Sequence, residues 1–107
     1  MAWTLYRIIK GEDWTLLDFT SLAAQGIPPR SNDPEAVHLS TGISCWATEA
    51  QARRTMRRYP FRGAHIVVLQ IPDGAPLIVE RTLRPGHHTV WGTPEAIATY
   101  VAPVNPG

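Results

Sequence analysis

Proline and glycine occur throughout this 107-residue chain and limit each helix and strand to a short segment. Ten residues are proline and eight are glycine. Proline disfavours the helical conformation in the residue before it, and glycine weakens the interior of helices and strands. Hydrophobic residues still make up 44% of the chain, enough to bury one core at this length. We therefore expect one domain over residues 1–107, with a loose Pro/Gly tail from about residue 102.

Charge and cysteine content argue against several classes of protein. The formal net charge is +1, so the whole-chain charge predicts neither membrane nor nucleic-acid binding, and we do not expect nucleic acid as a partner. Cys45 is the only cysteine, which excludes an internal disulfide and a multi-cysteine zinc site. No apolar run approaches the roughly 20 residues of a membrane span, and the N-terminus lacks the features of a signal peptide. These features predict a cytoplasmic protein.

Alternation and capping signals predict the order strand, helix, loop, strand, helix, three strands and helix. In the second helix, Thr48 and Gln51 form a capping box and Pro60 ends the segment. The last helix begins at the Thr93-Pro94 pair and ends near Val101. The predicted strands are 3–9, 37–48 (one strand or a broken pair), 65–71, 77–83 and 87–91, the first two helices are 21–25 and 50–59, and an irregular loop covers 27–35.

This order predicts an α+β fold with a small, mostly antiparallel sheet and three short helices. The segment 65–71 (HIVVLQI) is nearly continuous apolar sequence, so we expect it to be a central strand. We expect the three late strands to pair as an antiparallel meander.

Glu80 is the first candidate for chemistry. In a strand, Ile78, Glu80 and Thr82 share a face, and Ile78 indicates that this face is partly buried. A carboxylate there either pairs with Arg81 or Arg84 at the sheet edge or faces a cleft.

A segment of small hydroxyl residues, Ser40-Thr41-Gly42-Ile43-Ser44, is the second candidate. Its hydroxyls and the close backbone approach allowed by Gly42 suit a sugar or a phosphate, although strand-end turn chemistry explains the same residues. Ser44 and Trp46 share a strand face, which would place an aromatic ring beside the hydroxyl.

Arg7, in the first predicted strand, either points to solvent or anchors an anion, and its planar guanidinium group suits a diphosphate.

His87 and His88 would point to opposite faces of a strand, so they cannot readily bind one metal together, and we expect no metal site. One of them is expected to be a structural hydrogen-bonding residue near the cleft. Cys45 is expected to be buried and inert. The arginines at 53, 54, 57 and 58 could contact phosphates but also fit the solvated face of a helix.

Taken in order, Arg7 in LYRII, the HLSTGIS segment and Glu80 in LIVERTL resemble the ADP-ribosyltransferase superfamily. That superfamily has an Arg or His on an early strand, a Ser/Thr or Tyr element on the next core strand and a Glu on a late strand. The chain resembles a small, divergent, toxin-like member. Ile78 stands where many members have the first acid or amide of an ExE or QxE pair, which bears more on protein-arginine modification than on NAD binding.

The resemblance implies an enzyme that cleaves the nicotinamide–ribose bond of NAD, with a neutralising protein as a possible partner. Glu80 would stabilise the oxocarbenium-like charge on the ribose, and Ser40 or Ser44 would position Glu80 or the ribose. Arg7 would hold the diphosphate. Under this hypothesis the catalytic residues are Glu80, Ser44 and Arg7, and NAD contacts Arg7, Tyr6, Ser40, Thr41, Trp46 and His88.

Two other classes of function remain open. Four tryptophans in a short chain suit a non-catalytic module that binds a protein or a small ligand. A small hydrolase or nuclease would instead use His87 or His88 with Glu80 as an acid–base pair. Convergence of Arg7, Ser44 and Glu80 on one cleft would favour the transferase.

Overall fold

The computed structural model describes residues 2–103, in which five strands form one sheet beside three α-helices. The α+β class is therefore confirmed. None of the helices within this range is long and apolar enough to span a membrane. Residues 104–107, most of the predicted loose tail, lie outside the described residues. The strands are β1 (Trp3–Ile9), β2 (Ile43–Trp46), β3 (His65–Ile71), β4 (Ile78–Arg81) and β5 (His87–Trp91), and the helices are α1 (Pro34–Leu39), α2 (Glu49–Arg58) and α3 (Pro94–Ala98).

The sheet has the order β3-β1-β2-β5-β4, with antiparallel pairing throughout. The predicted meander of the three late strands is wrong, because β3 pairs with β1 at the far end from β4 and β5. The prediction that β3 is central is also wrong. This apolar strand tolerates an edge position because the chain after α3 covers it: Gln70 N donates to Tyr100 O at 2.9 Å and Ala102 N donates to Val68 O at 2.8 Å.

The segment between β1 and β2 differs most from expectation. The predicted helix at 21–25 is a series of turns, and a 3-10 helix at Leu16–Phe19 precedes it. The predicted loop and strand around residue 37 are replaced by α1, which begins with Pro34 at its first position and Glu35 in its first turn. Ser40 and Thr41 therefore follow a helix and do not lie in a strand.

The two faces of the sheet carry separate apolar clusters. The α3 face, which includes Leu5, Cys45 and Val90, packs against the 3-10 helix Leu16–Phe19 and α3 and holds the main core. The α2 face includes Ile8 and Trp46 and packs against Ala52 of α2. Half of the predicted α2 capping box is present: Thr48 Oγ1 accepts a hydrogen bond from Gln51 N, but Gln51 Oε1 accepts from Thr48 Oγ1 and not from the Thr48 backbone.

Candidate anion site on the α2 face

Arg62 is the most unusual side chain on the α2 face. It lies in the 3-10 helix Pro60–Arg62 and packs over two aromatic rings, with Cζ 6.0 Å from the Trp46 ring centroid and 5.5 Å from that of Tyr59. Its Nε atom is buried and has no hydrogen-bond partner within residues 2–103. A buried N–H that lacks an acceptor is costly, so a ligand that reached this donor would relieve that cost.

Further positive charge surrounds Arg62. Burial lowers the pKa of its guanidinium, and the charges of Arg30 and Arg84 lower it further, against an opposing effect of Tyr59. Within residues 2–103 no ion pair involves any of these three arginines. Three like charges without a carboxylate partner form a site that an anion would stabilise.

His87 borders the same site from β5. Its ring lies 5.6 Å from the Trp46 ring, edge to face, and its Nδ1 is hydrogen bonded to Thr82 Oγ1 at 2.9 Å. Thr82 Oγ1 also contacts Thr89 Oγ1 at 2.7 Å. Burial lowers the pKa of His87, and the charges of Arg62 and Arg84 add to this effect, while a hydrogen bond to the backbone of Thr82 raises it. An anion beside Arg62 would screen those charges and raise the pKa of His87.

Ser44 and Glu80 lie on this α2 face in one cross-strand row. Ser44 pairs with Thr89 of β5, and Thr89 pairs with Glu80 of β4. Since neighbouring strands lie about 4.8 Å apart, the two predicted catalytic residues are separated by roughly 10 Å of sheet. Ile78, on the same side of β4, is 59% exposed, so the expectation of a partly buried face is wrong. Glu80 itself is exposed, because β4 is an edge strand.

The side chain of Arg7 does not lie on the same face of the sheet as those of Ser44 and Glu80. It alternates with Tyr6 and Ile8 along β1 and therefore points to the opposite, α3 face. There its Nε donates to Asp18 O and its Nη1 donates to Ser44 O, each at 2.9 Å. These bonds occupy Arg7 in joining the 3-10 helix Leu16–Phe19 to β1 and β2.

The remaining predicted NAD contacts divide between the two faces. Tyr6 pairs in register with Trp46 on the α2 face, where Trp46 is only 7% exposed beneath Arg62 and His87. His88 lies on the α3 face against Trp3, with ring centroids 5.1 Å apart. His87 therefore borders the anion site, and His88 does not.

Ser40 and Thr41 are used locally at the end of α1. Ser40 Oγ donates to Val37 O and Thr41 Oγ1 donates to His38 O, each at 2.6 Å. Thr41 Oγ1 also accepts a hydrogen bond from Trp91 Nε1 at 2.9 Å. At Gly42 a Cβ would lie 2.5 Å from Thr89 Cγ2, so the absence of a side chain lets β5 pack closely against the start of β2.

Cys45 is fully buried beside Arg7 on the α3 face, and burial raises the pKa of its thiol to about 12 against an opposing effect of Arg7. The predicted burial of Cys45 is confirmed, and a thiol with a raised pKa is a poor nucleophile at neutral pH. Within residues 2–103 no group of three or more His, Cys, Asp or Glu side chains could hold a metal ion.

Two surface depressions lie away from the anion site. One, of about 240 Å³, is lined by Trp3 and the turn from Pro72 to Leu77. The other, of about 250 Å³, lies between Trp14 and the chain after α3. Neither lining includes a cationic side chain, so charge favours the α2 face. Trp14 is the most exposed of the four tryptophans, at 39%, while Trp3 and Trp91 are partly buried and Trp46 is buried.

Sequence reasoning missed Arg30, Arg62 and Arg84, which lie far apart in the chain. Arg62 follows the proline that ends α2, and Arg84 lies in a turn, so neither has a periodic or motif signal. The proximity of His87 to the site depends on strand register. Comparisons with protein-family models, with curated proteins and with solved structures gave no match to this chain.

Proposed function

We propose that the chain binds a phosphate-bearing nucleotide on the α2 face, and that NAD is this nucleotide. The observation that carries the proposal is the buried, unpartnered Nε of Arg62 among Arg30 and Arg84. A diphosphate would supply acceptors to these guanidinium groups and offset their mutual repulsion. This assigns the diphosphate to Arg62 in place of Arg7.

The row Ser44–Thr89–Glu80 supports a second, catalytic part of the proposal, an ADP-ribosyltransferase-like cleavage of NAD. In such a reaction the nicotinamide–ribose bond breaks, the bonding electrons leave with nicotinamide, and a nucleophile attacks the ribose carbon. Glu80 would stabilise the positive charge that develops on the ribose, and Ser44 would contact a ribose hydroxyl. Both side chains project from the sheet face that also carries Trp46 and His87.

The hydrolase alternative requires a histidine within hydrogen-bond reach of Glu80. The side chain of Glu80 makes no hydrogen bond or ion pair within residues 2–103, and His87 is bonded to Thr82. The geometry therefore favours anion binding over an acid–base pair of these residues.

Binding and cleavage are tested separately. Thermal unfolding with and without NAD measures binding, and release of nicotinamide from NAD measures cleavage. We expect NAD and pyrophosphate to stabilise the wild type, nicotinamide alone to have no effect, and Arg62→Gln to abolish the stabilisation. Arg81→Gln is the matched control, because Arg81 is an exposed arginine on β4 outside the site.

Glu80→Gln separates the two parts of the proposal. It should retain the thermal shift caused by NAD and lose nicotinamide release. No shift of the wild type with either NAD or pyrophosphate would exclude the anion site. A shift without nicotinamide release, tested with water and with protein and nucleic-acid acceptors, would retain the site and exclude the cleavage reaction.

A further inference from the structure

The exposed side of α2 and the turn after it form a strongly basic surface. Residues 49–62 carry five of the ten cationic side chains and one of the nine acidic side chains of the chain. The near-neutral net charge therefore conceals a local excess of positive charge. We did not expect a nucleic-acid partner because the net charge of the whole chain is near zero. The concentration of cationic side chains in residues 49–62 removes that reason.

Most of these arginines lack an intramolecular partner. Arg53 pairs with Glu49 at 3.1 Å, one turn earlier on the helix. Arg54, Arg57 and Arg58 are exposed, and within residues 2–103 none of them forms an ion pair. Residues three and four positions apart lie side by side on a helix, so these three guanidinium groups form one row.

An exposed aromatic ring continues this row. Phe61 is 71% exposed, the highest value among the large apolar side chains exposed in residues 2–103. Its ring lies 6.0 Å from that of Tyr59, at an interplanar angle of 70°. Arg58 covers Tyr59, with Cζ 5.5 Å from the ring centroid, and Lys10 Nζ donates to the backbone carbonyl of Phe61. The tip of the surface thus combines cations with an open aromatic face.

From this arrangement we infer that the row Arg54–Arg57–Arg58–Phe61, here called the α2 basic surface, binds single-stranded nucleic acid. The arginines would follow consecutive phosphates, and Phe61 would stack on an unpaired base. A polyanion without bases would use the arginines but leave Phe61 exposed. A membrane would require an apolar helix face, and the apolar face of α2 is already packed on the sheet through Ala52. The inference does not depend on the nucleotide site, since it uses neither Arg62 nor Glu80.

The test is fluorescence anisotropy with a 5′-fluorescein-labelled 15-nucleotide oligouridylate, titrated with the full chain at several salt concentrations. We expect Arg57→Gln to weaken binding and to reduce the slope of log affinity against log salt by about 0.7, the contribution of one phosphate contact to a single strand. Arg81→Gln removes the same charge from an exposed site on β4 and should leave both quantities unchanged.

Phe61 distinguishes nucleic acid from other polyanions. Phe61→Leu should weaken oligouridylate binding by about fivefold or more at an unchanged salt slope, and Phe61→Trp should retain binding. The substituted side chains are exposed, and an unchanged circular-dichroism melting curve checks that each variant folds. Absence of binding at low salt, equal competition by polyglutamate, or a Phe61→Leu variant with wild-type affinity would each overturn the inference.

Discussion

Arg7 donates a hydrogen bond from Nη1 to the backbone carbonyl of Ser44, 2.9 Å away. A second bond joins its Nε to Asp18 O, so one guanidinium connects β1, β2 and the 3-10 helix Leu16–Phe19. Burial lowers the pKa of Arg7, opposed by Cys45 and Asp18, and the guanidinium remains a donor at neutral pH. The residue that resembles a ligand anchor in sequence is a structural residue in the fold.

Arg7→Met is therefore expected to act on stability. It removes one hydrogen-bond donor from each of two backbone carbonyls, and we expect the free energy of unfolding to fall by about 2–4 kcal/mol. Urea denaturation of the variant measures this loss. An Arg7→Met variant of wild-type stability that no longer binds NAD would contradict the structural role.

Arg62 is expected to show the opposite behaviour. Because Arg62→Met removes an unpartnered donor and repulsion with Arg30 and Arg84, the free energy of unfolding without ligand should rise by up to about 1 kcal/mol. The partial exposure of the side chain keeps this gain small. Urea denaturation in low salt and in 1 M NaCl measures the effect, and a loss above about 1 kcal/mol would show that Arg62 is mainly structural.

Stability should fall as the pH decreases below 6.5 because of His87 and His88, and the contribution of His88 can be isolated. Burial lowers the pKa of this histidine below 6.5, as does Arg81, while a hydrogen bond with Gly86 raises it. Between the folded and unfolded pKa values the unfolded chain binds more protons, so acid favours unfolding in that window. Denaturation at pH 7.0, 6.0 and 5.5 should show the decrease. His88→Phe, which keeps a ring against Trp3, should reduce it.

Gly63 sets the position of Arg62 and should not tolerate a side chain. Its φ is +151°, and a Cβ would lie 2.2 Å from the backbone oxygen of Ile9. That oxygen accepts a hydrogen bond from Ala64 N, where the chain enters β3. Gly63→Ala should lower the free energy of unfolding by about 1–3 kcal/mol, measured by urea denaturation. Gly11→Ala serves as the control, because the nearest atom to its Cβ would be Asp13 O at an ordinary contact distance of 3.8 Å.

Local signals predicted those parts of the fold that depend on neighbouring residues. The alternation in β1, the Thr48 cap of α2 and the Thr93-Pro94 start of α3 all appear where expected. The edge position of β3 could not be predicted, because it depends on pairing with β1 and on cover from the chain around Tyr100.

The candidate site was less predictable than the fold. The row that contains Ser44 and Glu80 follows from strand register, which no local pattern specifies. Arg62 is a candidate ligand contact because its Nε has no hydrogen-bond partner within residues 2–103. No sequence pattern predicts that a side chain will lack a partner in the fold. Strand alternation alone could have predicted that Arg7 and Tyr6 do not contact the same ligand, since adjacent residues of a strand point to opposite faces of the sheet.

The most direct test of the anion site is the NMR signal of the Arg62 Nε–H group. Two-dimensional ¹H–¹⁵N spectra of the uniformly labelled protein, with Arg62→Gln used for assignment, report on this group during titration with NAD and with pyrophosphate. Both ligands should shift the Arg62 Nε–H resonance saturably and slow its exchange with water, while the Arg81 resonance stays unchanged. An Arg62 resonance unaffected by saturating amounts of either ligand would contradict the account.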